Sequence, residues 1–186
     1  ALGLTADGRE ALIMTWEDNE SPVACWLAPL DGPGEPRRVL QGLGEQRTAF
    51  AALSPDNRWL AVVAEWTGHP EVYLTRFPSG EGRWPVSVGG GLAPAWSADS
   101  SRLYFITGGE SIAVVTVDEG PRLSRPEIVV AEAHRSVGSA DAPSFALMPD
   151  GRFVHPLPSR SQSEGAPPAL KLVLDKELNI PSVLTS

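Results

Sequence analysis

One short pattern recurs four times along this chain, and it constrains the fold more than any other feature. The pattern is an apolar residue, a small polar residue or Met, Ala or Pro, Asp, a small turn-forming residue, then polar and apolar residues. It appears as Leu4-Thr5-Ala6-Asp7-Gly8-Arg9, running into Ala11-Leu12-Ile13, and as Leu53-Ser54-Pro55-Asp56-Asn57-Arg58-Trp59-Leu60. It returns as Trp96-Ser97-Ala98-Asp99-Ser100-Ser101-Arg102-Leu103-Tyr104-Phe105 and as Leu147-Met148-Pro149-Asp150-Gly151-Arg152-Phe153-Val154. The aspartates stand at 7, 56, 99 and 150, which makes the spacings 49, 43 and 51 residues.

Each copy reads as a tight turn between two antiparallel strands. Pro55 and Pro149 preset φ for the first central position, Asp and Gly or Asn accept the bend, and the Asp side chain bonds nearby backbone N–H groups. These aspartates are therefore structural. A period near 40–50 residues is the spacing of propeller blades, each a four-stranded antiparallel sheet. Helical repeats of similar period are excluded, because proline interrupts every stretch and the apolar runs are short, β-branched and aromatic. The expected fold is thus all-β: a β-propeller of about four blades, at roughly 1–45, 46–90, 91–137 and 138–186, forming part of a larger ring.

The second period divides into strands at 49–53, 59–66, 71–77 and 83–88, and the third at 93–97, 102–107, 111–118 and 126–131. In the first period, strands follow the turn at 11–16, 23–30 and 37–40. In the fourth they are expected at 144–148, 152–157 and 169–175, with a Ser/Pro/Gly-rich loop at 158–168. Residues 179–185 form the last strand of that blade or one handed to a neighbour. Along 71–77, Val72, Leu74 and Arg76 face one way and Glu71, Tyr73, Thr75 and Phe77 the other. The run Leu60-Ala61-Val62-Val63-Ala64 is apolar on both faces, as stacked sheets require.

The repeat resembles the TolB-like (WD-repeat-like) β-propeller family, whose blades carry Pro-x-Trp-Ser-Pro-Asp-Gly-x-x-Leu-x-Phe. Residues Pro94 to Phe105 match it, with Ala98 in place of Pro and Ser100 in place of Gly. Glu71 to Pro78 and Gly82 to Ser87 are similar to propeller regions on the C-terminal side of bacterial serine/threonine kinase chains. The resemblance spans residues 2–175. It implies a binding or sensing module that meets a protein, peptide or small ligand through loops on one ring face. Its alternative is a regulatory propeller of a larger enzyme, kinase-linked or of prolyl-oligopeptidase type. It also implies a bacterial source and an extracytoplasmic or periplasmic setting, and rings of about six to eight blades. Four blades then suggest a partial chain, a ring closed by four blades, or two copies that complete one ring.

No catalytic, metal or cofactor set is read from the residues. His69, His134 and His155 do not pair at metal-ligand spacing, and the single Cys25, flanked by apolar residues, reads as a core thiol. A Gly-x-Ser-x-Gly nucleophile elbow is absent. Gly89-Gly90-Gly91 lacks a following Lys-Ser/Thr and helix, so it reads as a flexible inter-blade connection and not a phosphate loop. Glu17, Asp18 and Glu20 lack the order of a calcium loop and read as a solvated turn. The net charge of −8 disfavours nucleic acid as a partner, and no run reaches the ~18 apolar residues of a membrane span. A protein or peptide partner, and self-association that completes a ring, remain the expected contacts.

Six tryptophans complete the picture. Trp59, Trp84 and Trp96 occupy repeat positions and are expected to pack blades together. Trp16 and Trp66 end equivalent strands beside variable turns, and with His69 at a hairpin tip they are the candidate ligand-contacting residues.

Overall fold

The computed structural model describes residues 3–15, 24–39, 48–120, 122–131, 145–148 and 153–154. Strands β1 (Gly3–Leu4), β2 (Glu10–Thr15), β3 (Ala24–Pro29) and β4 (Arg37–Val39) form one antiparallel meander. A second comprises β5 (Thr48–Leu53), β6 (Trp59–Ala64), β7 (Glu71–Arg76) and β8 (Trp84–Pro85). The third comprises β9 (Gly91–Trp96), β10 (Arg102–Thr107), β11 (Ile112–Thr116) and β12 (Glu127–Val130), and β13 (Ala146–Leu147) pairs with β14 (Phe153–Val154). The chain is all-β, built of propeller blades in sequence order.

The repeated turns are superimposable in their hydrogen bonds. Asp7 Oδ1 accepts from Thr5 Oγ1 at 2.6 Å and from Arg9 N at 3.1 Å. Asp56 Oδ1 accepts from Ser54 Oγ at 2.6 Å and Arg58 N at 3.1 Å, and Asp99 Oδ1 from Ser97 Oγ at 2.6 Å and Ser101 N at 3.0 Å. The same hydroxyls accept the N–H five residues on: Glu10 at 3.1 Å, Trp59 at 2.9 Å and Arg102 at 2.9 Å. Each hydroxyl thus relays between the Asp and the opening of the next strand. The residue after the Asp has positive φ in all three: Gly8 at 68°, Asn57 at 59° and Ser100 at 61°.

Blades stack through opposite faces of each sheet. Counting from the motif Asp, the fifth and seventh residues are Leu12 and Met14, Ala61 and Val63, and Tyr104 and Ile106. In every case they face the following blade. Leu12, Met14, Cys25, Leu27 and Val39 pack against Leu60, Val62, Ala64 and Tyr73. Trp59, Ala61, Val63, Val72 and Leu74 pack against Leu103, Phe105, Ala113 and Val115. Tyr104, Ile106 and Ile112 meet Phe145, with Leu147 beside them. All of β6 is buried, which accounts for its run of apolar residues on both faces.

Three tryptophans sit at the second interface. Trp59 and Trp84 meet edge to face, with centroids 5.5 Å apart, and Trp96 Nε1 donates to Ala52 O at 2.9 Å across the blades. Asp56 N also donates to Ser100 Oγ at 3.0 Å, tying one motif turn to the next. Several strands are shorter than their sequence patterns, β6 and β8 among them. β6 stops at Ala64, before the turn in which Gly68 takes φ 91°, and β8 is held to Trp84–Pro85 because Val86 N and Ser87 N both turn back to Val72 O.

Candidate functional site

In an antiparallel meander, connections alternate between the two ends of the sheet. The motif turns lie at one end. At the other lie the β6–β7 turn (65–70), the connection from β8 into β9 (86–90) and the β10–β11 turn (108–111). These three segments are bonded to one another: Gly91 N donates to Pro70 O at 2.9 Å, and Gly108 N to Gly90 O at 3.1 Å.

At the centre of this end stands Glu71, the first residue of β7 and only 4% exposed. Its Oε1 accepts from Gly89 N at 2.8 Å and Gly90 N at 3.0 Å, and lies 2.8 Å from His69 Nε2. Its Oε2 accepts the Ser87 hydroxyl, whose oxygen in turn accepts Val72 N at 2.8 Å. Burial works to raise the Glu71 pKa, but the bonds from Ser87, Gly90, Gly89 and His69 outweigh it and hold the carboxyl below its ordinary value. Gly89 and Gly90 adopt φ 82° and 109°, a conformation that L side chains rarely take.

The glycine run is therefore not a free connection. Its two N–H groups converge on a carboxylate supplied by the chain, so the anion position of a phosphate-type nest is already filled. What the loop presents outward is Val88, which is 93% exposed. His69, its side chain half exposed, meets the same carboxylate that holds the loop.

Of the expected ligand-contacting residues, His69 lies at this end. Trp66 lies in the same β6–β7 turn, half-buried. Its ring meets Tyr73 at 4.3 Å between centroids, and the Arg83 guanidinium lies 4.5 Å from the Trp66 centroid. Trp16 lies outside the described residues, as do His134, His155, the acidic segment Glu17–Glu20 and the loop at 158–168. Glu71, Ser87 and Gly89–Gly90 were not legible as a group, because 16 to 19 residues separate the carboxylate from its donors. The only available hint was an acid on the strand face otherwise holding Tyr73 and Thr75.

Among the described residues, no three His, Cys, Asp or Glu side chains are placed to hold a metal ion, and no helix is long and apolar enough to cross a membrane. Cys25 is buried, and burial pushes its thiol pKa up to about 11.

No protein-family model and no curated protein matches the sequence. The fold has solved counterparts. A candidate 6-phosphogluconolactonase from Bacteroides uniformis ATCC 8492 superposes with a TM-score of 0.53 at 16% identity, over 82% of this chain and 45% of that one. A candidate TolB from Agrobacterium tumefaciens gives 0.51 at 18% identity, over 80% and 54%. The chain is similar to these proteins in its propeller fold, and it spans about half their length.

Proposed function

We propose that this chain is a non-catalytic binding module, a propeller segment that recognises a protein or peptide at the blade end carrying His69, Val88 and the Gly108–Ser111 turn. The observation that carries this reading is the Glu71 anchor. It spends a buried carboxylate on fixing a loop that displays an exposed apolar side chain, and a fixed loop loses little conformational entropy on binding. Val88 offers an exposed apolar contact in a loop whose carboxylate anchor also meets the half-exposed His69. The TolB-like repeat supports the same class of role, as does the fold it shares with a candidate TolB.

The test is selection of a displayed random peptide library on the 186-residue protein. Peptides should be enriched whose affinity falls at least about tenfold on Val88→Asp. Glu119→Gln, at the opposite blade end, should leave them bound. Absence of enrichment over a blank surface, or binding indifferent to Val88→Asp, would sink the proposal.

A second reading, a regulatory propeller within a larger kinase-linked or peptidase enzyme, is supported by the half-length match and by the sequence resemblance. One solved counterpart is a candidate lactonase, so hydrolysis of a sugar lactone is the direct check on the non-catalytic reading. The expected rate equals the buffer rate. A protein-dependent rate would overturn it.

A further inference from the structure

Aspartate followed by glycine is the dipeptide in which a backbone amide most readily reaches the preceding side chain, because glycine has no Cβ to obstruct the approach. The sequence holds three such pairs, Asp7-Gly8, Asp31-Gly32 and Asp150-Gly151, of which the last lies outside the described residues. The other two belong to the first blade, and their glycines share a positive φ, 68° at Gly8 and 85° at Gly32. Their surroundings differ in every respect that bears on this chemistry.

Asp7 is held away from its glycine. Its Oδ1 accepts from the Thr5 hydroxyl at 2.6 Å and from Arg9 N at 3.1 Å, and Gly8 N–H is bonded to Thr5 O at 2.8 Å. The Thr5 and Arg9 bonds also hold the carboxyl below its ordinary pKa, which keeps it in the less electrophilic ionised form. Asp31 stands in the connection from β3 to β4, where residues 31–36 are all exposed. Among the described residues no hydrogen bond or ion pair meets the Asp31 carboxylate or Gly32 N, and a Cβ placed on Gly32 would find nothing within 4 Å. This openness belongs to the position in the blade. The equivalent connection of the second blade, whose sheet is packed on both faces, is exposed at residues 78, 79, 81 and 82.

We infer that Asp31-Gly32 is a site of spontaneous covalent modification, at which Asp31 isomerises to isoaspartate while Asp7-Gly8 stays intact. Gly32 N attacks Asp31 Cγ. The N–Cγ bond forms, the bond from Cγ to its hydroxyl breaks, and the hydroxyl leaves with the amide proton as water. The resulting succinimide takes up one water. Where that water breaks the bond between Gly32 N and the Asp31 main-chain carbonyl carbon, the chain runs on through Cγ and a free α-carboxylate remains. One water is lost and one gained, so the mass is unchanged and no oxidant or cofactor is needed. The product adds one carbon to the backbone path between β3 and β4, and its exposed α-carboxylate is the group that isoaspartate-specific carboxyl methyltransferases accept. This inference is independent of the peptide-binding reading, which concerns the opposite end of the blades.

The experiment is peptide mapping of the 186-residue protein aged in neutral buffer, with electron-transfer fragmentation to tell isoaspartate from aspartate. Trypsin, cutting after Arg9 and Arg37, places Asp7 and Asp31 on separate peptides. An isomer of unchanged mass is expected at Asp31. It should accumulate at least about tenfold faster than at Asp7, where the attack must first break three hydrogen bonds. In denaturant, where neither turn persists, the two rates should converge. Asp31→Glu, whose side chain would have to close a six-membered ring, should lose the modified peptide. Absence of isoaspartate at Asp31 overturns the inference, as does equal accumulation at Asp7 and Asp31 in the folded protein. A difference that survives unchanged in denaturant overturns it too, because sequence and not structure would then set the rates. A modified peptide that persists in Asp31→Glu places the reaction at another residue, with the same consequence.

Discussion

Glu71 Oε1 accepts the backbone N–H of Gly90 at 3.0 Å across 19 residues of sequence, and Gly89 N–H at 2.8 Å alongside it. One buried carboxylate thus joins the start of β7 to the connection into the third blade. Replacing Glu71 with Gln keeps the shape but removes the charge and turns an N–H₂ toward groups that already donate. We expect a loss of about 2–3 kcal/mol, read as a lower Tm, and faster amide exchange at Gly89 and Gly90. Unchanged exchange would show that the carboxylate does not hold the loop.

The same anchor gives a pH dependence with a defined sign. The folded-state pKa of Glu71 is lowered, by Ser87, Gly90, Gly89 and His69 acting against burial. The unfolded chain therefore takes up a proton first as pH falls. The contribution of Glu71 is fully present above the ordinary glutamate pKa, and is lost as pH drops below it toward the lowered folded value. Asp56 and Asp99 are also lowered: burial opposes the effect of Ser54 and Arg58 at Asp56, while Ser97 and Ser101 act at Asp99. Denaturant midpoints measured from pH 7 downward should fall below the ordinary carboxylate range, and less steeply in Glu71→Gln. Identical slopes in the two proteins would refute the assignment to Glu71.

The relay at each motif turn predicts which hydroxyl matters. Ser54 is fully buried, donates to Asp56 and accepts Trp59 N–H. Ser54→Ala leaves that N–H without its side-chain acceptor and the Asp56 oxygen one donor short, a cost of about 1–3 kcal/mol. Because Ser54 and Asp56 act through one bond, Asp56→Ala added to Ser54→Ala should destabilise less than the sum of the two single changes. Additive losses in urea unfolding would show the two to be independent.

The legibility of this fold follows the sequence distance of its interactions. The motif turns were readable because the bonds their Asp side chains accept from the neighbouring hydroxyl and backbone span two residues, so turn chemistry alone dictates Asp7, Asp56 and Asp99. The Asp-to-backbone bonds were expected. The hydroxyl's second bond, to the residue that opens the next strand, was not, although Thr5, Ser54 and Ser97 recur at one position. Met148 occupies that position in the fourth copy and has no hydroxyl to relay. Alternation along β7 gave the correct faces, because a period of two follows from the pleat. The contacts of Trp66 with Tyr73 and Arg83 had no local signature, since 7 and 17 residues separate the partners. The glycine run read as a flexible connection for the same reason: its anchor comes from another strand.

Asn57 is where a substitution should stabilise the protein. It sits at the positive-φ position, at 59°, that Gly8 fills in the first blade. A non-glycine residue in this region carries strain of about 1 kcal/mol, and the Asn57 Oδ1 is buried without a hydrogen-bond partner among the described residues. Asn57→Gly removes both penalties, against a larger loss of unfolded-chain entropy for glycine. The strain and the unsatisfied oxygen together exceed that loss, so the net gain should be about 1 kcal/mol, visible as a Tm rise of a few degrees. Ser100→Gly is the contrasting case. Its φ is 61°, but its Oγ accepts the Asp56 N–H at 3.0 Å from the neighbouring blade, so relief of strain comes with loss of an inter-blade bond. Asn57→Gly should therefore raise Tm where Ser100→Gly does not, and the reverse order would mean that the inter-blade bond contributes less than backbone strain at these turns.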